Sequence, residues 1–154
     1  MSDPRLSTPP FATEELGAAA PLGAVQSHVV RFQDVDAAGV VFYPRILEYF
    51  HDAYVTFLRA AGQPLELALK TGAWAAPIQW AEAHFLRPMR FGDAIETAVV
   101  ASRVTESELL LGFRTSLAGG KPAAVGTTRA VFVDLATFRR TTAPPELERL
   151  FNRT

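Results

Sequence analysis

The stretch that most constrains the fold is a helix that is apolar around most of its girth and carries an acidic loop at its head. Pro44 suits a first helical turn, where its missing N–H costs nothing. Gly62 suits the position just past the end, so the spacing predicts a helix over residues 44–61. Ile46, Leu47, Phe50, Ala53, Phe57, Leu58 and Ala61 recur at three- and four-residue steps, and Tyr49 and Tyr54 widen the stripe. A helix of this kind is stable only when buried, at about 1.5–3 kcal/mol per large side chain relative to exposure. Its buried N-terminus must then find acceptors for its unpaired N–H groups or offer them to an anionic ligand.

The rest of the chain reads mainly as strands. Residues 25–32 alternate, with Val25, Val29 and Arg31 on one face. Residues 64–70 add a turn or two of helix. From residue 76 the period becomes two, giving strands over 76–86, 94–103, 108–117 and 123–134. They are separated by turn signals at Phe91-Gly92-Asp93, Thr105-Glu106-Ser107 and Ala118-Gly119-Gly120-Lys121-Pro122. A short helix through Phe151 follows Ala143-Pro144-Pro145. Short turns make neighbouring strands antiparallel. The order predicts an α+β fold, a curved antiparallel sheet of about five strands wrapped around one long central helix. Its free edges favour edge-to-edge self-association, as a homodimer or homotetramer. Residues 1–23, rich in Pro, Ala and Gly, read as a loosely attached extension with room for a short helix near 12–16, and residues 24–154 as the folded domain.

Composition narrows the chemistry. A chain of 154 residues that is 49% apolar has the material for one domain with a real core. A formal net charge of −1 gives no sign of a nucleic-acid partner. The absence of cysteine excludes disulfides, thiolate catalysis and cysteine zinc sites. No apolar run approaches the roughly 20 residues of a membrane helix, and no basic flank with an apolar core opens the chain, which leads to the expectation of a cytoplasmic protein. His28, His51 and His84 share no metal-ligand spacing, so neither a metal nor a cofactor is assigned. No Gly-x-Ser-x-Gly elbow occurs.

The candidate chemistry lies in Asp34-Val35-Asp36-Ala37-Ala38-Gly39-Val40-Val41-Phe42-Tyr43-Pro44. An aspartate ahead of a helix can be a cap or turn residue, or a carboxylate base or nucleophile. The stretch resembles the signature loop of the 4-hydroxybenzoyl-CoA thioesterase type of hotdog-fold enzyme. His51-Asp52-Ala53-Tyr54 and Pro88-Met89-Arg90-Phe91-Gly92-Asp93 add to the likeness. The resemblance covers about residues 25–140. It implies the hotdog fold, hydrolysis of an acyl- or aroyl-CoA thioester, and active sites at subunit interfaces. It places the catalytic carboxylate at Asp36 and an oxyanion-contacting backbone N–H at Tyr43. Asp34 reads as a structural residue that holds the loop. Expected substrate contacts are Gly39, Val40, Val41, Phe42, Leu47, Phe50, His51 and Tyr54. Arg87, Arg90, Arg139 and Arg140 are candidates for the CoA phosphates. Where the 4-hydroxybenzoyl-CoA enzymes hold an aspartate against the ring hydroxyl, this chain has His51, which resembles the 1,4-dihydroxy-2-naphthoyl-CoA branch of the family. The acyl-CoA itself is the expected small-molecule partner. Short- or medium-chain esters, carrier-protein thioesters and a binding protein without activity stay open as readings. A hotdog hydratase ranks lower, because no histidine lies between Asp36 and Pro44.

Overall fold

A computed structural model describes residues 9–152. The central helix, α2, spans Arg45–Ala60, and Gly62 follows it in the left-handed conformation. Its apolar stripe is buried as the spacing requires. Ile46, Phe50, Ala53 and Leu58 are almost without accessible surface. Five strands curve around it: β1 Gln26–Val29, β2 Ile78–Phe85, β3 Ala94–Val104, β4 Glu108–Leu117 and β5 Pro122–Val131. The order across the sheet is β1-β3-β4-β5-β2, and every pair is antiparallel. This is the hotdog arrangement expected from the sequence.

The sheet's inner face carries the core. Phe50 of α2 stacks on Phe113 of β4 at 4.9 Å between ring centroids. Helix α3, Leu65–Thr71, follows α2. The C-terminal helix α4, Pro145–Phe151, closes one end of the core, with Phe151 stacked on Phe57. Asn152 holds it there, donating to the Val104 carbonyl and accepting from the Val104 N–H. No helix among the described residues is long and apolar enough to cross a membrane.

Two elements differ from the sequence reading. The first strand ends at Val29, three residues early, because the Asp34 carboxylate takes the Arg31 N–H and winds Phe32–Asp34 into a turn of 3-10 helix. The N-terminal segment, expected to be loose, packs against the sheet over its described part. Helix α1, Thr13–Ala18, lies on the outer face, with Phe11 and Leu16 buried against Ala98, Val100, Leu110 and Val125. Leu16 occupies the space that any side chain at Gly112 would need. Arg114 donates to the carbonyls of Gly17 and Ala19 at the helix end. Two apolar residues in a Pro- and Ala-rich piece give too short a pattern for periodicity to reveal this.

Candidate active site

The acidic loop is built on Asp34. The residue is fully buried. Its carboxylate accepts from the Arg31 backbone N–H at 3.0 Å, from Arg31 Nε at 3.2 Å and from Arg31 Nη2 at 3.1 Å. Arg45 Nε stands 3.8 Å away on the other side. The Asp34 carbonyl accepts the Phe42 N–H at 2.8 Å, so this one residue ties the two ends of the loop together. Burial opposes the charge, but the hydrogen bonds from Arg31 outweigh it and hold the carboxyl below its usual range. The buried Tyr49 hydroxyl lies near the same carboxylate without closing a hydrogen bond of ordinary length, and burial pushes that phenol up, with the carboxylate adding to the effect. The His28 ring meets Tyr49 edge-on at 4.3 Å. Burial lowers the His28 pKa, against the pull of Asp34 and Asp52.

Between those ends the chain makes a miniature hairpin. Val35 bridges Val41, the Asp36 N–H donates to the Val40 carbonyl at 3.0 Å, and the Gly39 N–H donates to the Asp36 carbonyl at 2.9 Å. Gly39 has φ +76°, a backbone conformation that a side chain disfavours. The Asp36 carboxylate accepts the Ala38 N–H at 2.9 Å and is otherwise exposed, which fixes its direction and leaves an oxygen open. The hairpin is stapled to the Pro88–Asp93 turn by the Val41 N–H on the Met89 carbonyl and by a bridge from Val40 to Arg90.

The helix head follows at once. The N–H groups of Arg45, Ile46 and Leu47 turn back to the carbonyls of Phe42, Tyr43 and Pro44. Pro44 has no N–H. The Tyr43 N–H is left without an acceptor among the described residues. Asp36, Val40, Val41 and Tyr43 form one wall of a cleft of about 370 Å³, and Phe85 to Met89 form the other. Asp36 and Tyr43, whose N–H has no acceptor among the described residues, therefore line the same cleft.

A second cavity of about 460 Å³ lies between α2, α3 and the inner face of the sheet. Leu47, His51 and Tyr54 line it from α2, Leu65 and Leu69 from α3, and Leu109, Leu111 and Phe113 from β4. Trp74, Ile78 and Phe138 complete its walls. It is apolar apart from a few groups, among them His51, which is exposed and edge-on to Tyr54 at 6.0 Å. Burial keeps the Tyr54 phenol raised well above its ordinary pKa and hence protonated.

The expected site residues are thus divided. Asp36, Val40, Val41 and Tyr43 share the first cleft, with Gly39 at the hairpin turn. Leu47, His51 and Tyr54 share the second cavity, and no residue lines both. Phe42 is exposed beside Tyr43 and lines neither. Phe50 is a correction. It has no accessible surface and belongs to the core, because its position on the helix faces Phe113 and Gly126 rather than the cavity. Arg87 lines the first cleft and donates to the Pro122 carbonyl at 2.6 Å. Arg90 lies beside it. Arg139 and Arg140 lie past the other end of β2, an eight-residue strand of roughly 24 Å. Arg140 is engaged with Ser107 and Glu108. One protomer does not bring the four arginines to one phosphate group. Sequence reasoning missed Leu65, Leu69, Trp74, Ile78 and Phe138, which meet only through tertiary folding. It also missed Phe85 and Leu86, whose place beside the quoted Pro88–Asp93 turn was the available signal.

A sheet of five antiparallel strands around one central helix defines the class of hotdog-fold proteins. The model of the thioesterase-like superfamily matches residues 30–151, and the chain belongs to that family. A 1,4-dihydroxy-2-naphthoyl-CoA hydrolase of Thermosynechococcus vestitus is 30% identical over 118 residues, covering 77% of this chain and 81% of the relative. The crystal structure of a 1,4-dihydroxy-2-naphthoyl-CoA thioesterase from Synechocystis superposes with a TM-score of 0.75 at 22% identity, over 82% of this chain and 93% of the other. A gentisyl-coenzyme A thioesterase superposes with a TM-score of 0.73 at 24% identity, over 80% and 98%. The thioester-hydrolase class expected from the sequence is the class of these relatives.

Proposed function

We propose that the protein hydrolyses the CoA thioester of a hydroxylated aromatic acid, with Asp36 as the reacting carboxylate and the Tyr43 N–H as oxyanion donor. The observation that carries this reading is that Asp36 and Tyr43, whose N–H has no acceptor among the described residues, line one cleft at the head of the buried helix. Thioester hydrolysis makes modest demands on a site. The leaving thiol, with an ordinary pKa near ~8.5, departs as thiolate without strong acid help. A carboxylate either adds to the carbonyl carbon, giving an anhydride that water then opens, or takes a proton from the water that attacks. In both courses the carbonyl oxygen gains negative charge, and a prealigned backbone donor there matters by about 2.7–4 kcal/mol. The 1,4-dihydroxy-2-naphthoyl and gentisyl esters named for the relatives are both hydroxylated aromatics, which suits an apolar cavity edged by His51 and the protonated Tyr54.

The split between cleft and cavity is resolved by a second copy of the chain. β2 is an edge strand, and Ile78, Phe85 and Leu86 are exposed along and beyond it. An exposed apolar edge of this kind invites pairing. Antiparallel pairing of two β2 edges about a two-fold axis normal to the sheet keeps both α2 helices on the same face. It sets the Phe85 end of one strand, with its Asp36 cleft, beside the Ile78 end of the other, with its apolar cavity. The acyl group then lies in one protomer's cavity while the other supplies Asp36.

The test is a panel of aroyl-, short-chain and long-chain-CoA esters against wild type and Asp36→Asn. Turnover highest on a hydroxylated aroyl ester, and reduced at least about 100-fold in the variant with unchanged melting, is expected. A variant that keeps near wild-type turnover moves the chemistry to another group.

A further inference from the structure

We infer that Phe138 is a specificity-determining residue that forms a ring-stacking wall at the mouth of the apolar cavity and selects flat aromatic acyl groups. This rests on the thioesterase reading above and deepens it. Phe138 lines the cavity, yet it is 68% exposed, so much of the ring has no partner within the protomer. Its backbone has φ +55°, the one non-glycine residue with positive φ among those described. A bulky side chain rarely sits there, and a strained residue of this kind is a pointer to function.

The loop explains how the strain is held. Val133 bridges Arg140, and the Asp134 N–H donates to the Arg139 carbonyl, so residues 135–138 form the connection of a small hairpin. The Asp134 carboxylate accepts from the Thr137 N–H at 2.8 Å and from the Thr137 hydroxyl at 2.9 Å. The Phe138 N–H donates back to the Asp134 carbonyl at 2.7 Å. The last position of such a connection is left-handed and is ordinarily met by glycine or asparagine. Either would satisfy the loop. A phenylalanine there gains nothing for the turn, but it adds an apolar ring to a cavity lining that also holds Trp74, so that a flat occupant has an aromatic face to stack on.

The test compares wild type, Phe138→Asn and Phe138→Tyr. Asparagine tolerates the left-handed backbone, so the loop keeps its shape while the ring is removed; tyrosine restores the ring. Affinity for free 1-hydroxy-2-naphthoic acid and for octanoic acid is read by calorimetry, in parallel with kcat and KM on a hydroxynaphthoyl-CoA and an octanoyl-CoA ester. Phe138→Asn is expected to weaken the naphthoic acid about ten-fold and raise KM for its ester by a similar factor. The octanoyl pair should move less than about three-fold, the Tm should not fall, and Phe138→Tyr should return the aromatic values to within about three-fold of wild type. Equal losses on both acids, a fall in Tm that accompanies the loss, or no binding of naphthoic acid by wild type overturns the assignment. Wild type that binds the aromatic acid through Phe138 but cleaves neither ester leaves the wall standing and removes the thioesterase reading instead.

Discussion

Asp34→Asn separates the residue that holds the loop from Asp36, the one proposed to react. Asn keeps the shape and one oxygen but loses the charge, and its amide group turns donors toward a guanidinium that has only donors. Three hydrogen bonds from Arg31 converge on the carboxylate. Hydrogen bonds to a charged group contribute about 1.5–3 kcal/mol each at most. The sum must be discounted, because the Arg31 side chain is 58% exposed and water replaces what the guanidinium loses. The oxygen kept by Asn still serves the Arg31 N–H. What remains is a buried amide with mismatched donors, for a net cost of about 2–3 kcal/mol. For a chain of this size that corresponds to roughly 5–10 °C in Tm.

The cost has a pH signature. The folded-state pKa of Asp34 lies below its unfolded value, so its stabilisation is fully present above about pH 4 and is lost as pH falls through the folded value. Urea denaturation should show a wide gap in midpoint between wild type and Asp34→Asn at pH 7, with the same m value, closing below about pH 4. Turnover per folded molecule should fall less than in Asp36→Asn. A gap under about 0.5 kcal/mol at pH 7, or one that persists unchanged to pH 3, would refute the loop-anchor account. Abolished turnover with an unmoved midpoint would make Asp34 the reacting group.

Other perturbations reach the rest of the site. Ala81→Lys, at an exposed position in mid-β2, should give a monomer in sedimentation with kcat/KM reduced about 100-fold or more; a fully active monomer would remove the two-copy site. His28→Phe keeps the ring contact on Tyr49 but deletes a buried Nε2 that has no partner. Because burial depresses the His28 pKa, its contribution is whole above the ordinary value near 6.5 and lost as pH falls through the folded value; urea midpoints should therefore drop between pH 8 and 5.5 in wild type more than in the variant, and parallel drops would contradict this. His51→Ala should lower kcat/KM for a hydroxylated aroyl ester more than for its unsubstituted analogue, and equal losses would mark His51 as packing.

The fold was legible because each element states its period locally. The stripe from Ile46 to Ala61 can be buried only by something that wraps it, and the two-residue alternation after residue 76 supplies the wrapper. The hairpin head was legible for a similar reason: Gly39, Asp36 and Pro44 each answer a local backbone demand. The anchoring of α1 was not. Leu16 docks against Gly112, ninety-six residues away, and no periodicity within residues 1–23 encodes a partner so distant. Phe50 was misplaced for a related reason. Periodicity gives a stripe its width but does not say which edge of it meets the sheet and which meets a cavity. Leu47, His51 and Tyr54 lie on one side of that division and Phe50 on the other.

The same limit applies to the site as a whole. Asp36 and His51 stand fifteen residues apart in one motif-rich stretch, and a linear reading joins them into one pocket. The helix separates them: the loop ahead of it holds Asp36 and Tyr43 at one cleft, while Leu47 and His51, on the helix itself, line the other. The arginines divide in the same way, with Arg87 and Arg90 near one end of β2 and Arg139 and Arg140 past the opposite end. The proposed β2–β2 pairing would act on both divisions together. It is antiparallel, so it exchanges the ends of the strand, bringing Asp36 and Arg87 of one copy toward His51, Phe138 and Arg139 of the other. Under that proposal sequence neighbours would serve two different substrate molecules, and each substrate would be held by residues that are neighbours only in the dimer. Mixed dimers give this a direct reading. Combining Asp36→Asn chains with His51→Ala chains should leave one of the two sites carrying both lesions and restore the other to wild-type composition, with about half of wild-type kcat per dimer. A site contained within one protomer would leave both sites impaired.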